Sequence, residues 1–170
     1  RTWSMERRQK FMEVVNKHNL PVLEDNPYGE LRYEGTILPS LKSMDTKGLV
    51  MFLGTFSKIF CPGLRLGWIA AEHSLLSEFV KIKQSADLHT SNFDQGVADA
   101  YMEQYDLDEH VKEIVALYKH RRDLILESME KYFPAGTEWT HPEGGLFLWL
   151  TFPEGVSARK GFNKLSLIHI

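Results

Sequence analysis

A single cysteine, Cys61, stands in 170 residues. That excludes an internal disulfide framework and suits a reduced, cytoplasmic setting. No apolar run approaches the roughly 18 residues that a membrane span requires. The opening RTWSMERRQK holds neither a starting methionine nor an apolar leader core. Excess charge of one sign is also lacking. The net charge is -3 and the pI about 6.2, so no broad attraction to nucleic acid or an anionic membrane follows. The basic pairs Arg7-Arg8 and Arg121-Arg122 read as solvated helix faces. His18, His73, His89, His110, His120, His141 and His169 show no ligand spacing with cysteine or carboxylates, which argues against a metal site. No Walker loop, G-x-G-x-x-G turn or Ser-His-Asp elbow occurs.

What is present suits one globular domain, or one and a half, with enough apolar material for a core: 43% of residues are hydrophobic and 25% charged. Ser4 to Asn19 reads as an amphipathic helix capped by Ser4, with Phe11, Val14, Val15 and His18 on one face. Leu20–Asp25, Gly48–Ser57 and Leu64–Ala71 read as short strands. Their continuous apolar character suits a parallel or mixed sheet covered on both faces, and hence an α/β fold. Ser74–Asp87, Asn92–Tyr105 and Asp108–Tyr132 read as helices, the last with Val111, Ile114, Val115, Tyr118, Leu124 and Ile125 in period. The segment TEWTHPEGGLFLWLTFPEG reads as two strands around a Pro-Glu-Gly-Gly turn. This change of character predicts a second, smaller α+β unit from about residue 110. Ser157 suits the cap of a last helix.

Two stretches carry chemistry. In GTFSKIFCPGLRLGW, Gly54 to Trp68, an extended chain would turn the hydroxyls of Thr55 and Ser57 to one side. Pro62-Gly63 forces a bend that brings back Arg65, whose guanidinium fork suits a phosphate. Lys58 lies among them. An ammonium crowded by a neighbouring cation is disfavoured, which frees an amine for Schiff-base chemistry. A lone lysine after a strand is ordinarily a surface loop residue; the hydroxyls, glycines and arginine argue otherwise here. Cys61, in the same loop, reads as a small filler. In EDNPYGELRYEG, Glu24 to Gly35, Asp25 ends a strand. Ligands of open α/β sheets sit beyond such strand ends, and a carboxylate there can pair with a protonated ring nitrogen. Pro27 stiffens the loop, and Tyr28 can offer its phenol to the same ligand. Taken alone, Asp25 would read as a cap or turn residue.

Together the stretches resemble the fold-type I pyridoxal-phosphate (PLP) aminotransferases of class I/II, in particular the 2-aminoadipate, kynurenine and aromatic aminotransferase subgroup. The matching residues are Asp25-Asn26-Pro27-Tyr28, then Thr55-Phe56-Ser57-Lys58, Arg65 and Gly67-Trp68, and the resemblance runs from about residue 4 to about 160. It implies that Lys58 is the Schiff-base lysine and moves a proton at the substrate Cα. It further implies that Asp25 keeps the pyridine nitrogen protonated, that Tyr28 bonds the cofactor's phenolic oxygen, and that Thr55, Ser57 and Arg65 hold the phosphate. The implied fold is part of the PLP-binding large domain, a mixed, mostly parallel sheet with helices over residues 1–109, followed by part of the small domain over 110–164. Implied partners are an amino acid and a 2-oxo acid, with a homodimer for the full-length protein. Pro142–Leu150 resembles the small-domain strand placed near the substrate, and Gly144-Gly145 suits close backbone approach; an ordinary hairpin turn is an equal reading.

The family's Asn-Pro-Thr-Gly motif, its upstream phosphate loop and its downstream carboxylate-binding arginine do not occur. The chain is therefore expected to be an internal piece of a longer protein, with Leu165–Ile170 a non-native tail. Two other readings stand beside the aminotransferase. One is a PLP lyase or decarboxylase. The other is the aminotransferase-like effector domain of a DNA-binding regulator. Such regulators tend to carry an acidic loop where this chain has Asn26 to Leu31, and often Tyr where it has Trp68. Both features favour the enzyme.

Overall fold

The structure is a computed structural model in which residues 2–161 are described. Helix α1 covers Met5–His18. The Ser4 hydroxyl accepts the Arg7 N–H at 3.3 Å, and Asn19 closes the helix in the left-handed conformation (φ 51°). Its buried stripe is Met12 and Val15, packed on Leu41 and Val50 with Phe11 and Val22 alongside. Val14, expected on that face, is exposed, because the core against α1 is formed by Leu41 and Val50 on the Met12 side.

Strands β1 (Val22–Asp25) and β2 (Val50–Thr55) pair in parallel, and β2 pairs antiparallel with β3 (Gly67–Ala70). The expected mixed sheet is thus present, with one parallel and one antiparallel pairing among the described residues. It is not covered on both faces: Leu23, which points away from the Val22 side, is 56% exposed. The long connection between β1 and β2 is tied down by two carboxylates. Glu24 accepts the N–H groups of Leu41 and Lys42 at 2.9 and 3.0 Å. Asp45 accepts those of Lys47, Leu49 and Val50.

Helices α2 (His73–Ala86), α3 (Asn92–Gln104) and α4 (Leu107–Tyr132) follow close to the expected bounds. Ser91 caps α3 and Asp106 caps α4. The interior stripe of α4 runs through Tyr118, Arg122 and Met129, while Leu124 and Ile125 are about half exposed. Two basic residues expected on solvated faces therefore lie elsewhere. Arg122 is buried, and Arg8 is largely enclosed, donating to the Pro39 carbonyl at 2.8 Å and facing Glu24 at 3.7 Å. Each found acceptors on a separate segment that local sequence does not reveal.

The expected hairpin over residues 137–155 is only partly formed. Strands β4 (Glu138–Trp139) and β5 (Leu150–Thr151) pair antiparallel over two residues. Between them the Pro142–Leu148 stretch leaves the ladder and Gly144 bridges to Arg32. Ser157 caps the helical residues 158–161 that follow, accepting the Lys160 N–H at 3.4 Å. The expected foreign tail, residues 165–170, lies outside the described residues.

Candidate functional site

The parallel register of β1 and β2 sets Asp25 opposite Leu53, two residues before Thr55, so both strands deliver their carboxyl ends to one edge of the sheet. Asn26 extends that register, its N–H donating to the Leu53 carbonyl at 3.1 Å. Asp25 is exposed at this edge, and the strand register alone places it beside the lysine loop.

Strand β2 stops at Thr55, and residues 56–60 form a turn closed by Phe60 N–H on the Phe56 carbonyl at 2.9 Å. Ser57 and Lys58 are therefore on a turn and not in an extended strand. Gly54 is required just before it: a Cβ there would lie 2.2 Å from the indole of Trp68, its antiparallel partner. The Thr55 hydroxyl donates to the Leu66 carbonyl at 3.0 Å and accepts the Ser57 N–H at 3.1 Å. Its role in this arrangement is to brace the turn. After a short 3-10 turn over Pro62–Leu64, Arg65 adopts the left-handed conformation (φ 54°). Its guanidinium returns to Ser57, donating to Oγ at 3.3 Å and to the Pro62 carbonyl at 3.1 Å. A hydroxyl and a guanidinium fork thus converge from positions eight apart, a donor pair suited to a phosphate. Cys61 is half-buried in the same loop.

Half-buried Lys58 faces the second stretch. Its ammonium lies 6.0 Å from the ring centroid of Tyr28, within cation–π range. Tyr28 in turn meets Phe147 edge to face, at 5.7 Å between centroids. The structure therefore brings together Ser57 with Arg65, Thr55 with Ser57, and Lys58 with Tyr28. An amine, a carboxylate and an anion-binding pair at one sheet edge fit an aldehyde that also carries a basic ring nitrogen and a phosphate. A groove of about 440 Å³ between Phe56, Trp68 and α3 is separate, lined by neither Lys58 nor Asp25.

What the sequence did not mark is how the Gly144-Gly145 turn reaches this site. Gly145 N–H donates to the Leu31 carbonyl at 2.8 Å, and Tyr33 N–H donates to the Glu143 carbonyl at 2.7 Å. The Tyr33 hydroxyl donates to the Gly145 carbonyl at 2.5 Å. Burial raises the Tyr33 pKa, only partly offset by the nearby Arg122 cation, so the phenol keeps the proton it donates. A Cβ at Gly144 would lie 2.5 Å from the Leu31 carbonyl oxygen. The paired glycines in Pro-Glu-Gly-Gly were the legible signal; their partner segment, residues 31–34, was not.

The family model for aminotransferase class I and II matches residues 1–166. The chain is 45% identical over 163 residues to aromatic-amino-acid aminotransferase 1 of Thermococcus litoralis, across 96% of this chain and 39% of that protein. It is 32% identical over 162 residues to an uncharacterized HTH-type transcriptional regulator of Bacillus subtilis, across 95% of this chain and 34% of that one. The kynurenine aminotransferase of Pyrococcus horikoshii, solved in complex with PMP and with KYN as substrate and KYA as product, matches with a TM-score of 0.89. That match has 42% identity and covers 96% of this chain and 40% of that one. The chain thus spans less than half the length of the curated relatives it matches.

Proposed function

Since the chain belongs to the class I and II aminotransferases, we propose that the protein containing it is a PLP-dependent transaminase acting on an aromatic, 2-aminoadipate-like or similar L-amino acid and a 2-oxo acid. The observation that carries this reading is the meeting of Lys58 with Tyr28 at the sheet edge where β1 delivers Asp25. The aromatic-amino-acid and kynurenine relatives support the substrate class, and the PMP of the structural neighbour supports the cofactor.

When bound, the pyridoxal ring supplies the electron sink for bond breaking at the substrate Cα. The chain's own residues do the rest. The Lys58 amine would hold the cofactor at its aldehyde carbon and serve as the base that takes and returns the proton at the substrate Cα. The Asp25 carboxylate would pair with the protonated pyridine nitrogen. The Tyr28 phenol would donate to the ring's phenolic oxygen. Ser57 and Arg65 hold the phosphate, and Thr55 fixes the Ser57 amide so that the turn keeps its shape. Residues 1–109 form part of the large, PLP-binding domain in this reading, and residues 110–164 part of the small one. The whole enzyme works in the cytoplasm as a homodimer and engages neither nucleic acid nor membrane. Among the described residues no helix is long and apolar enough to cross a membrane.

The regulator relative supports a second reading, an effector domain that binds PLP without turnover. The Asn26-Pro27-Tyr28-Gly29-Glu30-Leu31 loop, with one acidic residue, and Trp68 favour the enzyme. One experiment separates the two readings. The protein at its full natural length, loaded with PLP, should show visible absorbance that borohydride bleaches while fixing the cofactor to Lys58, found by peptide mass. Amino transfer should vanish in Lys58→Ala. Full transfer by Lys58→Ala would remove the lysine from the mechanism, and cofactor trapping without any transfer would select the effector reading.

A further inference from the structure

Arg122 holds an interior position on α4 where the helical period calls for an apolar side chain, and its own side chain is 8% exposed. Every guanidinium nitrogen is used. Nε and Nη2 donate to Asp123 Oδ1 at 2.8 and 2.6 Å. Nη1 reaches the Pro142 carbonyl and Glu34 Oε1, each at 2.7 Å. Its Cζ lies 5.3 Å from the ring centroid of Tyr33. Packing alone would be served as well by an aliphatic residue, since burying a charge carries a desolvation cost. What a rigid fork adds is the simultaneous grip of two separate segments, one by side chains and the other by a backbone carbonyl. One is the loop after β1, at Tyr33-Glu34. The other is the segment that leads into Gly144-Gly145.

Those two segments meet again closer to the lysine. The Tyr33 hydroxyl holds the Gly145 carbonyl, and the Gly145 N–H holds the Leu31 carbonyl. Two residues beyond Gly145, Phe147 meets the Tyr28 ring edge to face. A set of contacts therefore runs from Arg122 through Tyr33, Gly145 and Phe147 to the ring that faces Lys58. None of it passes through Ser57 or Arg65, the phosphate-binding pair, which is held on the separate turn after β2.

We propose that Arg122 is a positioning residue for the amino-acid side of the site, fixing the Gly144–Phe147 turn against Tyr28 through Tyr33 and Glu34. The inference rests on the transaminase reading. It places the effect on substrate binding and on the Tyr28 contact, not on retention of the cofactor, because the lysine turn and phosphate pair do not depend on this anchor.

The test uses the PLP-loaded protein at its full natural length, with Arg122→Lys and Tyr33→Phe. Arg122→Lys keeps the charge and loses the fork; Tyr33→Phe removes only the bond to Gly145. Each should raise KM for the amino donor roughly tenfold, the scale of one buried hydrogen bond, with the content of bound cofactor and kcat close to wild type. The double variant should be no worse than Arg122→Lys alone, because both act along one path. Glu127→Gln, on the exposed side of α4, should change nothing. An unchanged KM in both variants would overturn the inference, as would a shift of melting temperature alone or an equal loss of cofactor binding. Should Arg122→Lys fail to fold, the Tyr33→Phe result decides. A wild type that neither binds PLP nor transfers amino groups overturns the transaminase reading and takes the inference with it, whereas active wild type with unaltered variants overturns the inference alone.

Discussion

Asp45 illustrates how one side chain can fix a connection that no regular element supports. Its side chain is fully enclosed. Burial by itself would favour the neutral acid, yet three backbone N–H donors and the Lys42 ammonium outweigh it and lower the pKa to about 2. The folded value lies below the ordinary 3.8, so the stabilisation is present above the unfolded pKa and is lost as pH falls from about 4 towards 2. The size of the shift corresponds to about 2 kcal/mol. Asp45→Asn should therefore cost up to about 2 kcal/mol at pH 7 and progressively less in acid. Urea denaturation of the two proteins at pH 7, 4 and 2.5 measures this. A gap that stayed constant across the range would assign the effect to shape rather than charge.

The elements themselves were largely legible, and the reasons are local. Ser4, Ser91 and Asp106 accept N–H groups in the first turns of their helices, as a cap must. The first two strand runs stop where glycine, proline or a hydroxyl residue appears. Less was legible where a partner lies far along the chain. Arg122 sits in the stripe of α4, but its acceptors Glu34 and Pro142 belong to other segments, so a charge next to a charge read as solvated. Residues 142–148 read as hairpin because nothing nearby announces that Leu31–Glu34 is their true partner. For the site, the sequence singled out the two loops, and the fold added that Lys58 meets Tyr28 and how Thr55 and Arg65 shape the turn. Gly144 is where the hidden pairing can be tested. A Cβ there meets backbone, not a side chain able to move aside. Gly144→Ala should push the turn off Leu31 and destabilise the protein by about 1–3 kcal/mol, the usual cost of overpacking. Amide exchange at Gly145 and Tyr33 should quicken together. If only overall stability fell and those two amides kept their protection, the turn would not be seated by this contact.

At the scale of the whole molecule, the surface area is the informative quantity. The accessible surface is 12623 Å², whereas a compact monomer of this mass has roughly 8,600 Å². No residue of α2 is buried, and Phe79, Val80 and Ile82 lie open on it. Phe93 on α3 is 78% exposed and Trp149, next to β5, 72%. Single exposed apolar residues are ordinary, but this many large ones in one chain mark surface that is normally covered. The relatives are more than twice as long as the aligned region, which leaves ample chain to cover it. The buried core, by contrast, is small, centred on Met12, Val15, Leu41 and Val50. These 170 residues produced by themselves should therefore bind a hydrophobic dye, self-associate at micromolar concentration and melt without a sharp transition. The same residues within the protein at full natural length should do none of these. Light scattering and dye fluorescence on the two samples decide the matter. A monomeric 170-residue chain with a cooperative melt and no dye binding would mean that its apolar surface needs no cover. The site at Lys58 would then have to be complete on the one sheet edge that Asp25, Tyr28 and Arg65 already occupy.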